Sequence, residues 1–83
     1  MEAEVKREPD IKDIDRHIIR MGRIRKYPPA ELKGKKLLGA IAGGAVDPDV
    51  QAYAYEAGFF ILELQGESVS LVPPPTGFNP KTW

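Results

Sequence analysis

An α/β fold, a small mixed sheet of about four strands with two helices, is what this 83-residue sequence predicts, and three observations predict it. Residues 37–42 and 59–64 are apolar runs of strand length. Between them Asp47-Pro48 opens a short helical stretch that Gly58 closes. Upstream, a charged amphipathic segment from Ile11 to Lys26 follows a short stretch in which apolar and charged residues alternate. The order strand, helix, strand, helix, strand, strand calls for right-handed crossovers. These make the first three strands parallel neighbours and leave the last strand to pair antiparallel.

Each element has a local reason. Ala3 to Glu8 sets Ala3 and Val5 against Glu4 and Lys6, the period of two expected of a strand with one open face, and Pro9 ends it. Asp10 is a good N-cap, and Asp13 supplies the acidic first turn that a helix N-terminus favours. On a helical wheel Ile11, Ile14, Ile18 and Met21 share one face, with Lys12, Arg16, Arg20 and Arg23 roughly opposite. Tyr27-Pro28-Pro29 stops that helix, because proline lacks the amide donor and disfavours helical geometry in the residue before it. Residues 30–35 then form a connection with room for one helical turn.

The run Leu37, Leu38, Ala40, Ile41, Ala42 is nearly continuous in apolar residues, as expected of a strand buried on both faces. In the second helix Val50, Tyr53, Ala54 and Ala57 form the expected buried stripe, with Tyr55 on another face. Phe59 to Leu64 and Ser68 to Val72 read as a hairpin about Gln65-Gly66-Glu67, its second strand near an edge. These elements make a single α/β domain over residues 1–72. Residues 73–83 follow as a proline-rich C-terminal tail that Phe78 and Trp83 can anchor.

Composition narrows the function classes. Lysine plus arginine and aspartate plus glutamate both number 12, so no net charge draws the chain to nucleic acid or membrane. The charge is nonetheless divided. Residues 1–36 carry eleven basic and seven acidic side chains, and residues 37–83 carry one and five. The absence of cysteine excludes a disulfide framework, a cysteine-zinc site and thiol catalysis. No apolar run approaches the roughly 20 residues that span a bilayer, so no membrane partner and a cytoplasmic location are expected. A core of this size supplies about 3–5 kcal/mol of net stability, which makes help from partner chains an expectation.

Two groups of residues carry candidate chemistry. Glu4 and Lys6 lie one pleat apart on the same strand face, where a carboxylate can hold a divalent metal and an ammonium can steady a phosphate, given a further acid. A solvated strand face is the default reading of the same pair. The stripe Lys12, Arg16, Arg20, Arg23 can track phosphates in a salt-sensitive manner, against the default of a solvated helix face. His17, the single histidine, flanks the apolar face and is expected to be structural, since a metal site needs partner ligands. Gly39 to Gly44 lacks both G-x-G-x-x-G and a P-loop lysine, and Asp47 would place negative charge where a phosphate should sit.

The segments AEVKREPDIKDIDRHIIRM, KKLLGAIAG, DVQAYAYEAG and GFFILELQGESVSLV through GFNPKTW together resemble the C-terminal half of a PD-(D/E)XK nuclease-like domain. The likeness is to a branch of uncharacterised prokaryotic proteins, and it lies in the combined pattern. It implies an incomplete PD-(D/E)XK-like core in which Glu4 is the second metal-binding acid, Lys6 the catalytic lysine and Mg²⁺ or a similar divalent ion the cofactor. The family's first acid, an Asp on a preceding strand, has no counterpart here, nor do its first helix and two leading strands. The expectation is therefore a catalytically incomplete monomer. Two alternatives stand beside it: an oligomerising protein-interaction module, and a weak, sequence-independent nucleic-acid binder using Lys12, Arg16, Arg20 and Arg23. A homo-oligomer is expected in which the N-terminal strand or its adjacent helix forms the interface, because that strand's edge lacks the neighbours the family provides.

Overall fold

The computed structural model describes residues 1–83 and holds a four-stranded mixed sheet and two helices, an α/β fold. The elements are β1 (Glu2–Val5), α1 (Ile11–Lys26), a 3₁₀ turn (Ala30–Leu32), β2 (Gly39–Gly43), α2 (Pro48–Glu56), β3 (Phe60–Gln65) and β4 (Ser68–Leu71). The strands lie side by side in chain order, β1-β2-β3-β4. The first three are parallel and β4 is antiparallel to β3, as the element order predicts.

β1 is shorter than the expected Ala3–Glu8. After Lys6 the chain leaves the sheet because the Arg7 carbonyl accepts the amides of Gly44 and Ala45 beyond the end of β2, and Pro9 packs against Gly43. β2 likewise starts later than expected, at Gly39, because the Leu37 carbonyl is taken by the Trp83 amide. The proline-rich tail is thus tied to the domain. Its Lys81 amide also bonds the Gly58 carbonyl, and the Trp83 ring stacks on Phe59 at 5.5 Å. Gly58 has φ +87° and lies so close to Lys81 that a Cβ would stand 2.5 Å from it, so both backbone angle and space demand glycine.

The helices touch each other and share one core, which places both on one side of the sheet. Register and alternation assign that side. Glu4, Ile41 and Ile61 lie in line across the strands, and Ile41 and Ile61 belong to the core with Ile14, Met21, Val50 and Phe59. Gly39 lies in this layer too, since a Cβ there would meet the Phe59 ring at 2.6 Å.

Three helical expectations are corrected. Ile11 is 42% exposed, because the buried stripe of α1 is centred on Ile14, His17 and Met21, about 100° round the helix from it. Tyr53 is only half-buried and turns its hydroxyl out to donate to the Asp15 carboxylate, leaving Val50 and Ala54 as the buried residues of α2. Asp47 precedes Pro48 at the helix start as expected, but its side chain makes no capping hydrogen bond.

The opposite side of the sheet has no helix over it. It presents Ala3 and Val5 from β1, Ala40 and Ala42 from β2, Phe60, Leu62 and Leu64 from β3, and Val69 and Leu71 from β4. The expectation that β2 is buried on both faces holds for its residues, all five of which are buried. On this side Ala40 and Ala42 are enclosed although no helix lies over them.

Candidate functional site

Glu4 projects from the helix-covered side of β1, Lys6 follows just beyond its end, and α1 meets both. Asp10 and Asp13 form a reciprocal capping box at the start of α1, the Asp13 amide donating to Asp10 and the Asp10 amide to Asp13. That geometry fixes Asp13 facing the sheet, where it is 2% exposed. Lys6 Nζ reaches its Oδ1 at 2.9 Å, and Arg16 approaches the same oxygen at 3.4 Å. Burial pushes the Asp13 carboxyl up, but the Asp10 amide and the Lys6 ammonium outweigh that and hold it below the usual aspartate value.

Nearly two turns along α1, Arg20 Nη1 lies 2.8 Å from Glu4 Oε2, with Glu4 itself only 8% exposed. The approach is off the hydrogen-bonding direction, so this contact is Coulombic rather than an aligned hydrogen bond. Between these pairs, His17 is fully buried, 4.9 Å from the Phe59 ring, with Nε2 3.2 Å from the Glu2 carbonyl. An Nε2–H donating there leaves Nδ1 as a buried acceptor without a partner. Burial lowers the His17 pKa, with the Glu2 carbonyl acting against it. The structural role expected of this histidine is the one observed.

The structure therefore brings Glu4, Lys6, Arg16 and Arg20 together with Asp13, an acid that the sequence marks only as a first-turn residue. Lys12 and Arg23 lie apart from this cluster, exposed and in no ion pair. The basic stripe is thus split: Arg16 and Arg20 flank the buried side of α1 and bend to the acids, while Lys12 and Arg23 stay in solvent. No three His, Asp or Glu side chains converge so as to hold a metal ion. The charged neighbour of Glu4 is a cation, so these residues do not by themselves make a divalent-cation site. None of the surface clefts is lined by Glu4 or Lys6.

The other candidate is the bare side of the sheet. Glu63 is half-buried near Tyr55 of α2, but beyond it the helix side of β3 and β4 is also uncovered, and there the residues are polar: Gln65, Ser68 and Ser70. Directly behind them the equally bare side carries Leu62, Leu64, Val69 and Leu71, with Val69 60% and Leu71 54% exposed. At the margin Val5 is 59% exposed, and Phe78 meets Phe60 edge-on at 5.3 Å. Sequence reasoning missed this surface because a continuous apolar run reads as burial on both faces. The signal was present in the alternation of Val69 and Leu71 with serines.

The β1 edge is open as well. Glu2 and Lys6 donate their amides to β2, so alternation turns the amides of Ala3 and Val5 outward. No helix is long and apolar enough to cross a membrane. Neither a protein-family model, a curated protein nor a solved structure matches this chain.

Proposed function

We propose that this chain is a protein-interaction module built on a PD-(D/E)XK nuclease-like scaffold, and that it docks another polypeptide on the bare apolar face of its sheet. One observation carries the docking reading: uncovered positions on the helix side of β3 and β4 are polar, whereas those directly behind them are apolar. Solvent alone gives no reason for that difference, and a covering partner does. Support for the scaffold comes from the pattern of segments, from Glu4 on β1 and Lys6 just beyond it both meeting α1, and from β1 running parallel to β2.

Catalysis does not belong to the isolated chain in this reading. Phosphodiester cleavage needs more than one carboxylate fixed around a divalent ion, and here Glu4 faces Arg20 while Asp13 is held by Lys6 and Arg16. Incubation with DNA or RNA and Mg²⁺ or Mn²⁺ is expected to give no cleavage. Cleavage that disappears in both Glu4→Ala and Lys6→Ala would establish the nuclease reading instead.

Docking is tested with an apolar fluorescent dye that brightens on exposed hydrophobic surface. At nanomolar protein the dye is expected to brighten with the wild-type chain and not with the Leu62→Lys, Val69→Lys double variant, the far-ultraviolet circular dichroism of the two being alike. Equal dye emission from both proteins would overturn the reading.

A further inference from the structure

We infer that the occupant of the bare face is a second copy of this chain, packed sheet against sheet about a two-fold axis. The inference rests on the docking reading above and names its partner. Three features of the face select a copy of itself.

The first is charge. All nine residues that β1 to β4 turn to this side are apolar. A two-fold contact sets a patch against itself, so any charge would meet its own kind, and this face has none to repel. The basic and acidic side chains of the sheet instead point to the helix side or lie at the ends of the strands.

The second is shape. Ala40 and Ala42 are already enclosed, so the accessible apolar surface is carried by the larger side chains of Val5, Phe60, Leu62, Leu64, Val69 and Leu71. Projecting aliphatic side chains of this kind can interdigitate with those of a second copy. Sheets packed face to face interdigitate in this way at a separation of about 10 Å.

The third is area. The chain exposes 5674 Å², whereas a folded monomer of 9.2 kDa is expected to expose about 4,900 Å². The excess over the whole chain, roughly 750 Å², is of the order of the about 800 Å² that one partner gives to a standard interface, and Val5, Val69 and Leu71 of this face are among the residues that carry it. Four strands spaced about 4.8 Å apart also make a face wider than a single helix of about 10 Å covers, and another four-stranded sheet matches it.

This interface differs from the β1 edge that the sequence favours, and the two are separable. Sedimentation equilibrium at micromolar concentration is expected to give a dimer of the 9.2 kDa chain. Leu62→Glu and Val69→Glu should each weaken dimerisation roughly 100-fold, because each buries two unpaired carboxylates per dimer. Val69 is largely exposed in the single chain, so its substitution leaves folding intact, which circular dichroism verifies. The dye that brightens at nanomolar concentration should be displaced as the dimer forms. A mass of 9.2 kDa at high micromolar concentration with the dye still bound would overturn the second copy while leaving docking by another partner intact. A dimer that is indifferent to both glutamates would overturn this interface in favour of the edge.

Discussion

The two sides of this sheet reverse the usual placement of residue types. The helix-covered side hides Glu4, Asp13 and His17 among its core residues, while the side without helices displays leucine, valine and phenylalanine. The covered charges are tolerable because α1 brings Arg20 to Glu4 and sets Lys6 and Arg16 around Asp13. Burial in this chain therefore follows from which side the crossovers lay their helices on, not from polarity alone.

The strongest way to break that contrast is to truncate one large apolar residue on each side. Phe59 is fully buried and touches both His17 and Trp83, so Phe59→Ala is expected to cost about 3–5 kcal/mol. That approaches the whole net stability of a domain this small, and the variant should be largely unfolded. Leu71→Ala on the open side should change the stability of the single chain by less than about 1 kcal/mol. Urea titration by circular dichroism at low protein concentration measures both. Similar losses for the two would mean that the open side is not open.

A second change probes the covered charges. Asp13→Ala removes one half of the capping box and leaves Lys6 and Arg16 without their acid, at a cost of about 2–4 kcal/mol. Its lowered pKa also fixes a pH dependence. A folded-state value below the unfolded one contributes stability that is present above the unfolded value, about 3.9, and is lost as pH falls through the folded value. Acid unfolding should therefore begin at higher pH in Asp13→Asn. Identical acid transitions would show that the Lys6 and Arg16 contacts contribute nothing.

How far the sequence was legible follows the same division. Element order, strand direction and the hairpin are written in local signals, such as Asp10 at a cap, Pro28-Pro29 at a stop and Gly66 with φ +58° at the turn. The ends of β1 and β2 were not legible, because distant partners set them: Gly44 and Ala45 draw off Arg7, and Trp83 takes Leu37. In the candidate site, the pairing of Glu4 and Lys6 on one face was readable from a period of two. Their engagement with Arg20 and Asp13 needed the placement of α1 on β1, which no local spacing encodes. Tyr53 illustrates the same limit, since its turn toward Asp15 joins residues of different helices.

Smaller effects sharpen the contrast at the surface of α1. Arg16 and Arg20 are partly neutralised by acids, whereas Lys12 and Arg23 are free. Any binding of nucleic acid is thus expected to be weak, to fall steeply with salt, and to depend on Lys12 and Arg23 at least as much as on Arg16 and Arg20. Fluorescence anisotropy with a labelled oligonucleotide decides this. Affinity unaffected by Lys12→Glu with Arg23→Glu would refute that dependence, and affinity insensitive to salt would exclude a phosphate contact by α1.

The smallest expected effect lies in His17, where both sides of the contrast meet in one residue. Its ring is enclosed by the core, donates toward the Glu2 carbonyl and holds Nδ1 unpartnered against apolar surroundings. A proton added at Nδ1 would create a buried cation, which the nearby Arg20 opposes and the nearby glutamates favour, and burial dominates. The folded value therefore lies below the ordinary histidine value of 6.5. The unfolded chain then binds a proton that the folded chain refuses, so stability is complete above about pH 6.5 and declines as pH falls from there toward the folded value. Urea midpoints measured at pH 7.5 and pH 5.5 should differ, with the lower pH less stable. Because this is the single histidine of the chain, a His17→Gln variant, whatever its own stability, should lose most of that difference. An imidazole whose carbon-bound protons titrate at or above 6.5 in the folded protein would contradict the burial argument, since it would place a stabilised cation inside the covered face.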